Sequence, residues 1–167
     1  MVQNQGKTIN ITCGTGEGQT KLSAFDAALW DAGIANFNLI KLSSIIPTDT
    51  QVKIQHLKNN GKNGFGDKLY IVLAEKRESE RGREAWAGIG WVQAKDGRGL
   101  FVEHEGAQQA EVARLIKETL TDMIKYRKDK FGEISCQVVG VRCEDKPVCA
   151  VVAAVYQSEG WGELSCE

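Results

Sequence analysis

Two adjacent serines, Ser43 and Ser44, lie inside a strongly apolar stretch, between residues 39–42 and the pair Ile45-Ile46. Serines commonly end strands, and most of them do no chemistry. Two hydroxyl groups in such a stretch must nevertheless find hydrogen-bond partners once they are desolvated. If the fold strains the peptide between them, the Ser44 hydroxyl can attack the Ser43 carbonyl and form an ester. Elimination of that ester breaks the chain and leaves dehydroalanine, which hydrolyses to a pyruvoyl group, a covalent cofactor made from the protein itself.

A pair of glutamates forms the second candidate site. The sequence Glu103-His104-Glu105-Gly106 lies at the end of a predicted strand, before the longest helical segment. Strand alternation places Glu103 and Glu105 on one face and Val102 and His104 on the other. Two glutamates on a solvated face need no function, and Glu105 could simply favour the positive end of the next helix. Alternatively, one of the two carboxyl groups acts as a general acid or base, while His104 is structural.

The glycine-rich segment 14–18 follows a predicted strand and precedes a predicted helix, which is the setting of phosphate-binding loops. The dinucleotide motif would need a glycine where Gln19 lies, and no Gly-Lys-Ser/Thr sequence follows. Glu17 would also repel a phosphate. We therefore expect a tight turn with positive φ here, with nucleotide binding as the less favoured alternative.

The secondary structure that must position these residues can be read from hydrophobic periodicity, which predicts two helices and about seven strands. Apolar residues keep helical spacing over 22–32, where Gly33 is placed to end the helix, and over 107–130. The charged run 75–84 is expected to be an exposed loop. Together these elements predict an α+β fold with helices packed on antiparallel sheet. The predicted strands are 7–13, 36–42, 51–57 and 69–74, followed by two hairpins, 85–94 with 99–105 and 135–142 with 148–157.

Composition restricts the class of protein. The 167 residues, 42% hydrophobic and 26% charged, suffice for one domain spanning 1–167. The formal net charge of −1 gives no global field for nucleic acid or an anionic membrane, so neither partner is expected. No stretch approaches the roughly 18 apolar residues of a membrane span, and the polar N-terminus lacks a signal-peptide core, which favours a cytoplasmic location. Five cysteines and two histidines show no zinc-ligand spacing, so no metal is expected.

Four short motifs carry a family resemblance that covers residues 14–47 most densely. They are Ala24-Phe25-Asp26, Asn38-Leu39-Ile40, Ser43-Ser44-Ile45-Ile46-Pro47 and, further along, Glu103-His104-Glu105-Gly106. At these separations the sequence resembles the pyruvoyl-dependent arginine decarboxylases. The sequence departs from the family pattern at Thr48, where a second proline is often found, and at His104, where an aromatic residue is familiar.

The resemblance implies self-cleavage between Ser43 and Ser44 into a β chain, residues 1–43, and an α chain, residues 44–167. It also implies an α/β/β/α sandwich with the sheets inside and the helices outside, assembled as a trimer of αβ units with active sites between neighbours. The implied reaction converts L-arginine to agmatine and CO₂. The contrasting interpretation is an uncleaved, non-enzymatic module of the same fold that binds a small guanidino or amine ligand.

Site residues follow from the resemblance one by one. It implies that Ser44 becomes the pyruvoyl group and that Ser43 becomes the new carboxyl end. Asp26 matches the aspartate that binds the guanidinium group, a role suited to a carboxylate that can accept a bidentate pair from this planar cation. Asn38 matches an asparagine that positions the scissile region. Glu103 matches the proton donor. The Asp26 carboxylate does not by itself select arginine, because it would also bind the ammonium group of another basic amino acid.

Overall fold

The computed structural model describes residues 6–58 and 64–162. It has two β-sheets packed face to face, with one helix on the outer side of each. The described residues contain nine strands and two helices, so the predicted α+β class and the layered α/β/β/α order are confirmed. In chain order the elements are β1 (Lys7–Glu17), α1 (Lys21–Asp31), β2 (Asn38–Lys41), β3 (Ile45–Ile46), β4 (Thr50–Ile54), β5 (Lys68–Glu78), β6 (Glu84–Gln93), β7 (Gly99–Gly106), α2 (Gln109–Ile124), β8 (Ser135–Arg142) and β9 (Val148–Glu159).

The first sheet has five strands in the order β2-β5-β9-β1-β4. The central strand, β9, runs antiparallel to both of its neighbours, whereas the edge strands β2 and β4 run parallel to theirs. Residues 148–154 of β9 are all buried, because one face of the strand meets the second sheet and the other meets α1. This burial on both faces explains the uninterrupted apolar sequence of β9.

Helix α1 begins and ends where local sequence signals place it. At its start, the Ser23 backbone N–H donates to the Thr20 hydroxyl, and the two residues form a reciprocal capping box. After its end, Gly33 has the left-handed conformation, with φ of 74°, that the sequence predicts. The buried face of α1, which includes Ala24 and Ala28, packs on the outer side of the first sheet.

The glycines at 14–18 have a packing role, and the predicted tight turn is wrong. Strand β1 continues through Gly14 and Gly16, which pair with β9, and none of the glycines in this segment has positive φ. A Cβ atom at Gly14 would overlap the backbone of Ala32, and one at Gly16 would overlap the backbone of Ala28. The glycines therefore let α1 lie directly on β1. This packing leaves no phosphate-binding loop of the kind the nucleotide interpretation requires.

The second sheet has four antiparallel strands in the order β3-β7-β6-β8 and carries α2 on its outer side. The helix buries Val112, Ile116 and Leu120 against the sheet. Gly90 of β6 makes room for this packing, since a Cβ atom there would overlap the Ile116 side chain. The hairpin of β6 and β7 is as the sequence predicts. Neither helix in the described ranges is long and apolar enough to cross a membrane.

Three of the predicted elements differ from the observed ones. The charged run 75–84 is not a loop throughout, because residues 75–78 extend β5 and pair with β9, with the Glu75 carboxylate bound to Arg77 on the strand surface. The second predicted hairpin is wrong as well, since β8 joins the second sheet and β9 the first. Helix α2 ends at Ile124 rather than at residue 130.

The chain changes sheets between β2 and β3. Only residues 42–44 separate these strands, and we call them the crossing segment. At its start the Leu42 N–H donates to the Ile71 carbonyl in the first sheet at 2.8 Å. At its end the Ser44 carbonyl accepts from the Phe101 N–H in the second sheet, also at 2.8 Å. The Ser43–Ser44 peptide is thus anchored to a different sheet on each side.

The close contact of β1 and α1 makes Gly16→Ala a test of the fold. We expect this substitution to lower the free energy of unfolding by about 2–3 kcal/mol, because the added methyl group meets helix backbone that cannot rotate away. Gly162→Ala is the matched control, since Gly162 has open space around it. Urea denaturation measures both, and equal midpoints for the two variants would contradict the packing role.

Candidate active site

Ser44 has a left-handed backbone conformation, with φ of 65°. Among the described residues, the only other non-glycine residues with positive φ are Asn36 and Asp49, whose residue types tolerate this region. For a serine this conformation costs about 1–2 kcal/mol and persists only where the surrounding contacts impose it. The backbone of Ser44, directly after the Ser43–Ser44 peptide, is therefore strained.

The Ser44 side chain is held by Glu103. Its Oγ donates a hydrogen bond of 2.8 Å to Oε2 of Glu103, which projects from β7. The Phe101 N–H, two residues earlier on the same strand, holds the Ser44 carbonyl. One strand of the second sheet therefore fixes both the hydroxyl and the carbonyl of Ser44, and it places a carboxylate against that hydroxyl.

The three residues Glu103, His104 and Glu105 face different partners. His104 turns toward α2, where Nε2 lies 2.8 Å from the hydroxyl oxygen of Thr119, so its ring joins the strand to the helix. Glu105 is on the same face as Glu103, as strand alternation predicts, but it lies 3.9 Å from the ammonium nitrogen of Lys76. Glu103 therefore differs from its neighbouring glutamate in contacting Ser44.

An open cleft of about 360 Å³ lies beside Glu103. It occurs where β5 extends beyond the short edge strand β2, and where β7 extends beyond the two-residue strand β3. The carboxylates of Glu75, Glu103 and Glu105 line this cleft together with the ammonium group of Lys41. Glu75 is paired with Arg77 and Glu105 lies near Lys76, so Glu103 is the carboxylate of this cleft that has no ion pair in the described part of the chain. Glu103 is therefore the group that a positively charged ligand would meet.

The structure does not bring Asp26 into contact with Ser44 and Glu103 within one chain. Asp26 is exposed on α1, on the outer side of the first sheet, and its carboxylate makes no hydrogen bond or ion pair with any residue in the described ranges. The preceding residue, Phe25, stacks under the Arg77 guanidinium group at 4.3 Å from the ring centroid. The Asp26 carboxylate is therefore available to a ligand that approaches from outside the chain.

The Asn38 side chain also makes its hydrogen bond away from Ser44 and Glu103. Its Nδ2 donates a hydrogen bond of 2.6 Å to the Gly66 carbonyl, which also accepts a bond of 2.9 Å from Nε1 of Trp161. These contacts fix the start of β2, six positions before Ser44 along the chain. The role of Asn38 in positioning the scissile region stays a prediction, and any such effect within one chain would pass through β2.

Two residues at the site were not identified from the sequence. They are Phe101, whose backbone N–H holds the Ser44 carbonyl, and Tyr156, whose hydroxyl donates to the Ile45 carbonyl at 2.8 Å. The contact of Phe101 is made by its backbone and depends on the pairing of β3 with β7, which no pattern in the sequence signals. Tyr156 could not have been found either, since β9 approaches the crossing segment only when the two sheets pack together.

No group of three or more histidine, cysteine or acidic side chains lies close enough to hold a metal ion within the described ranges. The nearby carboxylates Glu75, Glu103 and Glu105 are spread along the cleft wall instead. The chemistry that the described residues offer is that of a hydroxyl, a strained peptide and a carboxylate.

Comparison with known proteins shows the family of this chain. A family model described as pyruvoyl-dependent arginine decarboxylase matches residues 8–160. A protein of that name from Thermococcus sibiricus is 34% identical over 149 residues, covering 87% of this chain and 91% of its own. The protein of the same name from Pyrococcus furiosus is 36% identical, covering 83% of this chain and 87% of its own. The one from Thermoplasma volcanium is 39% identical, covering 88% of this chain and 93% of its own. The chain therefore belongs to the family of pyruvoyl-dependent arginine decarboxylases.

Proposed function

We propose that this protein cleaves itself between Ser43 and Ser44 and then uses the pyruvoyl group formed from Ser44 to convert L-arginine to agmatine and CO₂. The observation that carries the proposal is the Ser44 hydroxyl, bound to Glu103 and attached to a strained backbone. The substrate is taken from the name that the relatives share. The Glu103 carboxylate, which has no ion pair among the described residues, supports a cationic substrate.

Self-cleavage needs only groups of this chain and one water molecule. The Ser44 oxygen attacks the Ser43 carbonyl carbon, the bond to the Ser44 nitrogen breaks, and that nitrogen takes up the hydroxyl proton, which leaves an ester and a free amine. Loss of the Ser44 α-proton then expels the Ser43 carboxylate and leaves dehydroalanine. Water hydrolyses this residue to the ketone and releases ammonia. Glu103 is placed to accept the hydroxyl proton at the first step.

The described residues fit the pyruvoyl group. The Ser44 carbonyl remains in that group as the amide carbonyl beside the new ketone, and the Phe101 N–H is already directed at it. When bound to the substrate amine, the ketone supplies a sink for the electrons that decarboxylation leaves on the α-carbon. The contact from Phe101 is positioned to favour negative charge on this carbonyl oxygen.

Glu103 is proposed as the proton donor of the decarboxylation. Loss of CO₂ breaks the bond between the arginine α-carbon and its carboxylate, and the α-carbon then needs a proton. The Glu103 carboxyl group contacts the Ser44 side chain, which is attached to the α-carbon that becomes the ketone, so it is within reach of a substrate bound there. Glu105 is the weaker candidate because it lies near Lys76 rather than Ser44.

Asp26 is proposed to bind the guanidinium group in the site of a neighbouring copy. In its own chain α1 lies on the outer side of the first sheet, whereas Glu103 belongs to the second sheet. Its carboxylate is exposed and has no partner in the described part of the chain. The open cleft between β5 and β7 would accept such a neighbour, in keeping with the trimer that the family resemblance implies.

The contrasting function, an uncleaved module that binds a guanidino or amine ligand, would use the same cleft. It does not require the strained conformation at Ser44 or the contact of its hydroxyl with Glu103. The two functions differ in one measurable property, the covalent state of the purified chain.

The first test is Ser44→Ala, followed by intact mass and a denaturing gel. The wild-type protein should give two fragments, with the larger one lighter than simple hydrolysis predicts by the mass of one ammonia. Ser44→Ala should stay whole because the attacking hydroxyl is absent. Ser43→Ala is the matched control and should still cleave, since Ser43 contributes only its carbonyl carbon. A wild-type chain that remains whole would support the non-enzymatic module instead.

Glu103→Gln should separate cleavage from decarboxylation. The glutamine amide oxygen can still accept a hydrogen bond from the Ser44 hydroxyl but cannot take up its proton, so we expect cleavage to be slower and still to give two fragments. An amide also cannot deliver the proton to the α-carbon. Release of labelled CO₂ from arginine should fall by roughly 10²- to 10⁴-fold, the usual contribution of a general acid. Glu105→Gln, the same change two residues further along this face, should keep its activity. Full activity in Glu103→Gln would remove Glu103 as the donor.

Asp26→Ala should raise the KM for arginine by roughly 10- to 100-fold, the effect of losing a hydrogen bond between charged groups. A complementation experiment tests whether the site is shared between copies. Co-expressed Asp26→Ala and Glu103→Gln chains should regain activity at low arginine concentration, because some interfaces combine an intact Asp26 with an intact Glu103. If the mixed protein is no more active than its parents, Asp26 serves its own chain or none.

A further inference from the structure

Tyr156 lies behind the crossing segment and has no part in the chemistry proposed above. It projects from β9 and is partly buried against the core between the two sheets. Its hydroxyl donates a hydrogen bond of 2.8 Å to the carbonyl of Ile45, the residue that follows Ser44. The contact joins the first sheet to the first residue of β3 in the second sheet.

The Ser44 hydroxyl, the Ser44 carbonyl and the Ile45 carbonyl each make a hydrogen bond with a different residue. Glu103 accepts from the Ser44 hydroxyl, the Phe101 N–H donates to the Ser44 carbonyl, and Tyr156 donates to the Ile45 carbonyl. The rings of Phe101 and Tyr156 also meet edge to face, with centroids 6.2 Å apart and an angle of 69° between their planes. The two residues that hold neighbouring carbonyls therefore support each other.

The position of Tyr156 matters because β3 is short and lies at an edge. The strand has two residues and pairs only with β7, through Ile45 with Leu100 and Ile46 with Gly99. So short a pairing gives little resistance to rotation of the preceding residue, and Ser44 would gain free energy by leaving its left-handed conformation. A hydrogen bond to the Ile45 carbonyl from the opposite sheet opposes that rotation.

We propose that Tyr156 is a positioning residue for self-cleavage, which holds the Ile45 carbonyl and thereby keeps Ser44 in the strained conformation from which its hydroxyl attacks. The proposal rests on the proposed function. Tyr156 touches neither the Ser43 carbonyl nor the Ser44 hydroxyl, so it acts through the backbone.

The surroundings of Tyr156 keep its hydroxyl in the donating form. Burial, and to a lesser extent the negative charge of Glu103, raise the pKa of Tyr156 well above its usual value. A donor that stays protonated throughout the neutral range predicts that Tyr156→Phe lowers the cleavage rate by the same factor at every pH. A residue that exchanged protons with Ser44 would change the shape of the pH profile instead.

The experiment follows cleavage of freshly synthesised chains over time on denaturing gels, at several pH values between 6 and 9. Tyr156→Phe removes one neutral hydrogen bond and should slow cleavage by about fivefold. Tyr70→Phe is the matched control, because its hydroxyl also makes a short hydrogen bond in the first sheet, to Glu159 at 2.6 Å. It should leave the rate unchanged. The urea midpoint of each variant is measured in the uncleavable Ser44→Ala background, to detect a purely structural effect.

Uniform slowing in Tyr156→Phe, with an unchanged urea midpoint and normal cleavage in Tyr70→Phe, is the expected result. The proposal is overturned if Tyr156→Phe cleaves at the wild-type rate, if both tyrosine variants slow equally, or if slowing only accompanies a lower urea midpoint. It is also overturned if the shape of the pH profile changes. A wild-type chain that stays whole would instead refute the proposed function itself.

Discussion

The left-handed conformation of Ser44 is the constraint on which the proposed chemistry depends. A serine leaves this region of backbone space unless its neighbours prevent it, at a gain of about 1–2 kcal/mol. Here the chain passes from one sheet to the other within three residues, and each end of that passage is tied to a different sheet. The packing of the two sheets therefore maintains the strain, which no local sequence preference would supply. The strain persists because unfolding either sheet would cost far more free energy than one residue would gain by relaxing.

The four-layer sandwich is accordingly more than a support for surface loops. Strand β9, buried on both faces, lies at the centre of the first sheet and directs Tyr156 at the crossing segment. The hairpin of β6 and β7 is covered by α2. Its strand β7 carries Glu103 and, two residues earlier, the Phe101 N–H. Because both elements are held by extensive hydrophobic packing, the distances around Ser44 are set by the core rather than by mobile side chains.

The parts of this structure that sequence patterns predict are those governed by local rules. Gly33 at the end of α1 and the turn between β6 and β7 follow from residue preferences, and alternation separates Glu103 from His104. The predictions that are wrong concern features that depend on residues distant in the sequence. Gly14 resembles a turn residue in sequence, but it is a contact point for α1, which no nearby residue signals. For the same reason, β8 and β9 look like a hairpin although they belong to different sheets.

In the proposed function the contact between Ser44 and Glu103 serves two reactions in succession, and its geometry explains how one arrangement can do so. Cleavage as proposed would release the chain before Ser44, but it leaves the bond from the Phe101 N–H on the downstream side intact. The Ser44 α-carbon, which becomes the ketone carbon and is bonded to the carbonyl that Phe101 holds, therefore keeps its place relative to β7, and Glu103 does not need to move. A carboxylate positioned to receive a proton from the precursor is then already next to the place where the substrate α-carbon needs one. Locating Glu103 on a rigid strand, rather than on a loop, is what makes this second use of the same contact feasible.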